Sequence, residues 1–514
     1  MVFLVKNKTA FLLLGLIFVI GIFLRFYKLG QIPPSLDWDE ASIGYNAYTI
    51  LKTAKDEYGN KLPISIRSFN DYKASVYVYL STIPIALFGL NEFSVRFISA
   101  LFGSLTVLLA YLLIKQLLSL DKRYKNNIAI PLLTSFFLAI SPWHIQFSRV
   151  AFEANLSLFF FLGGFLLLLL AVKKNFYLPF SALFFGSAML TYHSAKIVVP
   201  VFVIGLLFIF KRKLFRQKIY FLSSFLLAVL FAAMLIYGSR LGGSSRLVST
   251  SVFGQSKTIL EAIRQIIANY LIHFDFNFLF IKGDPQLRHH VPGLAQLYLW
   301  ELPFVIIGIV FLLKDKLKGR GVIFWWFLSA PIAAALTTDV PNAVRSLLFL
   351  PSFQFFTAFG IYSIYSYFKN RIFAAFFYCF IVLLAITSFA YYYRMYFIHY
   401  PLENSQDWQY GYKQAVNYVN KHKNEYQKII VTDFYDQPYI YFLFYQQPLK
   451  IMVNNGEYYK GFNNLQFRPI NWAEDSKMNN ALLIGTGEEI PLNDKTIEEI
   501  KFLNGETAFR ISGL

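Results

Sequence analysis

Two kinds of residue in this sequence stand where they could do chemistry. Carboxylates crowd the stretch SLDWDEASIGYNAY, residues 35–48, with Asp37, Asp39 and Glu40 inside four positions. Single cations stand near the borders of apolar runs, at Lys73, Arg149, Lys196, Arg288 and Arg345. An ionised carboxylate is a proton acceptor. A Lys or Arg at the edge of an apolar region is a ready partner for phosphate.

Each position also has an ordinary structural reading. Ile43, Ala47, Ile50, Leu51 and Ala54 recur at helical spacing, which predicts a helix from about Trp38 to Lys55. Asp37 then suits the N-cap, and Glu40 three residues later completes a capping box. Asp39 is left over, as a first-turn acid favoured by the helix dipole or as a functional group. Lys73, in FNDYKASVYVYL, is a snorkelling lysine beside an aromatic belt or a cation set to meet a lipid phosphate. Arg149 and Glu153, in SPWHIQFSRVAFEANL, share a face if the segment is helical. A plain i,i+4 ion pair and a site are both open there.

The stretch KGDPQLRHHVPG holds Arg288, His289 and His290; adjacent histidines point in different directions, so the pair is a weak metal signature. Asp339, Asn342 and Arg345 surround the start of an apolar run, where Arg345 caps the membrane interface or binds phosphate. His193 and Lys196, in TYHSAK, carry the same two readings. No Walker, GxSxG, HExxH or dinucleotide fingerprint is present, so no soluble nucleotide-binding module is expected. A membrane-borne activated donor fits that constraint.

The elements that must position these residues are set by composition. The chain is 56% hydrophobic and only 15% charged, against about 25% charged in soluble domains. Its mean hydropathy is +0.47. This is the pattern of a polytopic helical membrane protein. The net charge of +19 does not point to nucleic acid, because the basic residues alternate with apolar segments instead of forming one stripe. The single Cys379 permits neither an intrachain disulfide nor a cysteine metal site.

Apolar segments fall at 9–26, 74–90, 94–117, 127–141, 155–172, 177–192, 197–210, 219–237, 298–313, 321–337, 344–366 and 371–393. The first of them has no cleavage site and is read as an uncleaved span. Basic clusters at 121–125, 173–174, 211–218, 314–320 and 369–371 belong on the cytoplasmic side. They share that side only if segment 74–90, which contains Pro84, is interfacial or re-entrant and does not span. The expected fold is therefore all-α and polytopic, with eleven spans and interfacial helices. Its N-terminus is cytoplasmic, and the loops 27–93 and 238–297 are extracytoplasmic. Residues 1–398 form the membrane domain, and residues 399–514 a small extracytoplasmic α/β domain. In that tail a helical stripe runs through Trp408, Tyr412, Ala415, Val416 and Val419, and strands are expected at 428–434, 439–445, 481–486 and 507–513.

With this order of parts the sequence resembles the GT-C glycosyltransferases that use polyprenyl-phosphate sugars. The nearest groups are the protein O-mannosyltransferases, the lipid A aminoarabinose transferases and the Rgt-type transferases. The resemblance rests on WDE (38–40), DYKASVYVYL, LFGLNEFSVRFISALFG (87–103), SRVAFEANL (148–156), RHHVPGLAQLYLWELPF (288–304) and the arginine of VPNAVRSLLFLP (340–351). It implies a transferase of the cell envelope that moves a sugar, with inversion, from a polyprenyl-phosphate donor to a hydroxyl of an extracytoplasmic protein, lipid or glycan. It implies Asp39 as catalytic base with Glu40 as companion, and Lys73, Arg149, Arg345 and Arg288 as ligands of the lipid phosphate. Glu153, His289, His290 and Lys196 are supporting residues. The resemblance admits a divalent metal and leaves its ligands open. The alternative is a transporter or flippase of a lipid-linked sugar, which would place ionisable groups at midplane depth.

Overall fold

The computed structural model describes residues 7–69, 71–240, 250–448, 460–493 and 495–514, and among them the chain is mostly helical. Among the described residues six helices are long and apolar enough to cross a bilayer: Lys8–Phe26, Glu92–Leu118, Glu153–Ala171, Lys218–Gly238, Leu347–Tyr367 and Arg371–Glu403. The pair Ala129–Ala139 and Pro142–Ser148, bent by 57°, passes the same test together, as a broken span or a re-entrant loop. Pro142 opens the second member of that pair, and the Ser141 side chain caps it by accepting from the His144 N–H.

The other four expected spans are helical but fall short of that length or purity. Leu178–Thr191 and Glu301–Lys314 have 14 residues each, and Arg320–Ser329 has 10. Ala195–Leu214 has 20 residues but ends on Lys211, Arg212 and Lys213. The segment read as non-spanning is the helix Ser75–Phe88, of 14 residues with Pro84 inside. At 1.5 Å per residue it is about 21 Å long, short of the roughly 30 Å hydrocarbon core.

The described chain divides into two compact units. The first comprises Met1–Tyr27 and Ser99–Met395. In it the loops sort into two sets. Arg123 bridges Asp121 and Asp315 at 2.8 and 2.7 Å, and the Lys318 N–H donates to Asp121, so the basic loops 121–125 and 314–320 meet. Asn175 likewise donates to the carbonyls of Lys213 and Leu214. A separate set joins residues 142–152, 273–290 and 337–345, through contacts described with the site. Four of the basic loops thus touch in two pairs, 121–125 with 314–320 and 173–175 with 211–218.

The second unit comprises Lys28–Ile98 and Tyr396–Leu514. Helix Trp38–Thr53 packs on helix Ser75–Phe88 and on helix Pro438–Gln446. A hairpin joins β1 (Ser65–Ser68) to β2 (Asp71–Ala74), with Ile66 opposite Lys73. The tail holds a six-stranded sheet of β3 (Lys428–Val431), β4 (Gly461–Phe462), β5 (Leu465–Phe467), β6 (Ala481–Gly485), β7 (Thr496–Lys501) and β8 (Thr507–Gly513). The order is β4-β5-β3-β6-β8-β7, with β3 parallel to both β5 and β6. Ile430, Ile470, Leu483 and Ile490 form a core cluster on it.

Three of the four strands expected in the tail are present. The fourth, YIYFLFY at 439–445, is instead the helix Pro438–Gln446, with every residue from Pro438 to Phe444 buried. A run that is apolar on all sides carries no period, and Pro438 at the first helical position favours a helix start.

Candidate active site

Asp39 owes its position to its neighbours. The Asp37 side chain accepts from the Glu40 N–H at 2.8 Å, and Glu40 accepts in return from the Asp37 N–H, so the predicted capping box is formed. Glu40 does more. Its two oxygens receive the Arg96 guanidinium at 2.9 and 2.8 Å, with both side chains wholly buried. The remaining Arg96 donors go to the carbonyls of Leu29, Pro33 and Ser35. Every N–H of that guanidinium is therefore used, and one side chain fixes both the approach segment and the first turn of the helix.

Asp39, one residue before Glu40, is about a third exposed, and its carboxylate lies 2.7 Å from Lys73 Nζ. Lys73 also donates to the Asp39 carbonyl at 3.2 Å. The lysine is almost fully buried and lies over the Phe69 ring at 5.5 Å. The register of the hairpin brings it there from β2. Further along the same helix, Ser42 meets Ser68 at 2.7 Å and Asn46 donates to Glu57 at 3.2 Å. Burial pushes the Glu57 carboxyl up to about 8, against the pull of Asn46, Lys73 and Arg67.

The other cations lie in the first unit. Arg345 donates to Thr337 Oγ1 at 2.8 Å and to the Asp339 carbonyl at 3.1 Å, with the Asp339 carboxylate 3.6 Å away. Its backbone N–H is held by Asn342 Oδ1. Asp284, which the sequence reading did not single out, organises this region: it accepts from the Ala343 N–H at 2.6 Å and from His289 Nδ1 at 3.0 Å. Burial acts to raise the Asp284 carboxyl. His289 and the N–H groups of Ala343 and Gln286 outweigh it and hold the group below the usual carboxylate range.

His289 packs against Phe147 and Phe152, and Gln146 donates to the Arg288 carbonyl at 2.7 Å. His290 turns the other way, towards the Gln286 carbonyl. Its ring lies so near Gly283, at φ +79°, that a Cβ there would fall 2.7 Å from it. Burial lowers the pKa of His290.

One expectation changes. Arg149 and Glu153 do not share a helical face: Pro142–Ser148 ends with Arg149 as its C-cap, and a new helix begins at Glu153. The break leaves Arg149 fully buried, donating to the carbonyls of Leu24 and Arg25. Lys196 lies in the first turn of helix Ala195–Leu214, 3.1 Å from His193 Nδ1. Among the described residues no group of three or more His, Cys, Asp or Glu side chains is arranged to hold a metal ion.

Residues 73–237, beginning at Lys73, match the dolichyl-phosphate-mannose-protein mannosyltransferase family. In three dimensions the chain is similar to ArnT from Cupriavidus metallidurans bound to undecaprenyl phosphate, with TM-score 0.54, 10% identity, and 98% of each chain covered. The archaeal oligosaccharyltransferase AglB from Archaeoglobus fulgidus, in complex with an inhibitory peptide and a dolichol-phosphate, gives TM-score 0.53 at 12% identity over 94% of this chain and 70% of that one. The chain has the GT-C fold. No curated protein matches it in sequence. As a multi-pass GT-C membrane protein, it carries its buried Arg96–Glu40 pair, its Asp39–Lys73 pair and its Asp284-centred loop cluster on the fold that the sequence reading anticipated.

Proposed function

We propose that this GT-C chain is a glycosyltransferase that moves a sugar from a polyprenyl-phosphate carrier to an acceptor hydroxyl on the extracytoplasmic face, with inversion at the anomeric carbon. The observation that carries this reading is the Asp39–Lys73 pair, a partly exposed carboxylate at a helix N-terminus joined at 2.7 Å to a buried lysine. Two structures of the same fold hold dolichol-phosphate and undecaprenyl phosphate, and this supports a donor of that class. The meeting of the basic loops 121–125 and 314–320 supports an orientation in which they are cytoplasmic.

In the proposed reaction Asp39 accepts the proton of the acceptor hydroxyl as its oxygen bonds to the sugar's C1. The C1–O bond to phosphate breaks, and the polyprenyl phosphate leaves with the electron pair. Lys73 neutralises the developing charge, with Arg345 and Arg288 as further phosphate ligands. Glu40 and Arg149, both wholly committed inside the protein, act by positioning: Glu40 sets the turn that carries Asp39, and Arg149 ties the 149–153 break to the end of the first helix. His289, held by Asp284, is assigned a supporting role, as are His290, Glu153 and Lys196.

The test is Asp39→Asn in purified protein, given radiolabelled polyprenyl-phosphate sugars and a panel of protein, lipid and glycan acceptors. Transfer should vanish while donor lipid still binds. Full transfer by this variant would sink the assignment of the base.

A further inference from the structure

Helix Ile259–Ile272 exposes a row of large apolar side chains along one face. Ile259 is 77% exposed, and Leu260, Ile263, Ile267 and Leu271 are between 47% and 60% exposed. A second face, with Ala262 and Asn269, is buried. On the row itself the Tyr270 hydroxyl donates to the Leu328 carbonyl at 2.8 Å. Phe274, just past its end, meets the Phe327 ring at 5.3 Å. Phe327 and Leu328 close the apolar helix Arg320–Ser329, at the end opposite its basic start. Leu328 is itself 45% exposed, so the apolar row continues onto the flank of that apolar helix.

The buried face leads to Arg345. Asn269 donates to the carbonyls of Ala335 and Thr337 at 3.2 and 2.8 Å. His273 Nδ1 meets the Asn269 carbonyl at 2.7 Å, and its Nε2 accepts from the Asn342 N–H at 3.2 Å. That arrangement requires a neutral ring with the proton on Nδ1. Burial, the largest influence, and the Arg345 charge favour neutrality, although Asn269 and Asp284 pull the other way. Thr337 accepts from the Arg345 guanidinium, as Asp339 does, and Asn342 accepts from its backbone N–H.

We propose that helix Ile259–Ile272 is a membrane-surface helix whose apolar face beds into the lipid bilayer. Through Asn269 and His273, this docking sets the position of the loop carrying Arg345. An amphipathic helix of this kind lies in the interface plane with its apolar side in the acyl boundary. Continuity with Leu328 makes lipid the occupant. The consequence for Arg345 as a phosphate ligand rests on the glycosyltransferase reading; the docking and its grip on the loop do not.

The experiment uses the full chain in lipid nanodiscs. Fluorophores are placed singly at Ile263→Cys and Ile267→Cys in a Cys379→Ser background, with a label at Glu261→Cys on the polar side as control. Shallow brominated lipids should quench the first two and spare the third; equal quenching at all three, or none, overturns the docking. Hydrogen exchange then reads the coupling. Ile263→Glu with Ile267→Glu should speed exchange at Asn342 and Arg345 by about tenfold or more, and unchanged exchange there overturns the coupling. If both results hold but Arg345→Gln leaves the donor KM unchanged, the failure belongs to the role given to Arg345 and not to the helix.

Discussion

Lys73 Nζ lies 2.7 Å from the Asp39 carboxylate, with the lysine buried and the acid partly open to solvent. In the proposed mechanism the lysine assigned to the leaving phosphate is thus already paired with the carboxylate assigned as base, and donor binding would redistribute that pairing. Lys73→Gln should raise the donor KM and lower kcat together, since it removes a charge-assisted contact in a dehydrated site. A loss of about 100-fold or more in kcat/KM is expected, from steady-state transfer assays. Lys73→Arg should recover only part of it, because a planar fork does not replace a point charge on a shorter reach.

Glu40 and Arg96 make the opposite case, a charged pair with no exposed surface at all. Removing one partner leaves the other charged and buried, which typically costs about 3–5 kcal/mol. Arg96→Met and Glu40→Ala should therefore each lower the thermal unfolding midpoint in detergent and shrink the folded fraction. The double variant should be less damaged than the sum of the singles, because no unpaired charge remains. A Glu40→Ala protein as stable as the parent would contradict the positioning role.

Half of that geometry could be read from sequence. Asp37 and Glu40 stand three apart before an apolar periodicity, and that local signal located the capping box and the helix start. Nothing local says that Glu40 also receives Arg96, because the partner is 56 positions away and many arginines were available. Arg96 carried one usable signal, its place inside an apolar segment, where a charge demands a partner. Asp284 stands within KGDPQLRHHVPG, but its bond to the Ala343 N–H spans 59 residues and belongs to tertiary structure. The helix Pro438–Gln446 was misread because full burial erases periodicity. Loop charge is a one-dimensional signal, and it grouped the basic loops 121–125 and 314–320, which meet through Arg123 and Asp315.

Glu57 gives a pH dependence with a definite sign. Its carboxyl is buried, Oε2 has no hydrogen-bond partner among the described residues, and its pKa is raised from 4.5 to about 8. The folded state thus holds a proton that the unfolded chain releases near 4.5. The favourable contribution is complete below that value and is lost as pH rises towards 8. Parent protein should become less stable from pH 5 to 9, while Glu57→Gln, which keeps the contact with Asn46 and cannot ionise, should show a flatter curve. Unfolding midpoints measured across that range decide it.

Gly44 tests the packing that carries Asp39 from the far side. In an exposed helix interior Gly→Ala gains about 1 kcal/mol. Gly44, however, lies in the middle of helix Trp38–Thr53, where an added Cβ would fall 2.6 Å from both the Phe444 ring and a Val95 methyl. Both neighbours are buried in the second unit, Val95 on helix Glu92–Leu118 and Phe444 on helix Pro438–Gln446, so neither can retreat into solvent. Overpacking of this kind costs about 1–3 kcal/mol, which exceeds the helix gain. Gly44→Ala should therefore destabilise the protein and lower kcat, by moving the helix whose first turn holds Asp39. Phe444→Leu, by opening space at the same contact, should restore part of the stability in the Gly44→Ala background. A stabilising Gly44→Ala would mean that the helix, the tail helix and Val95 are not packed as described.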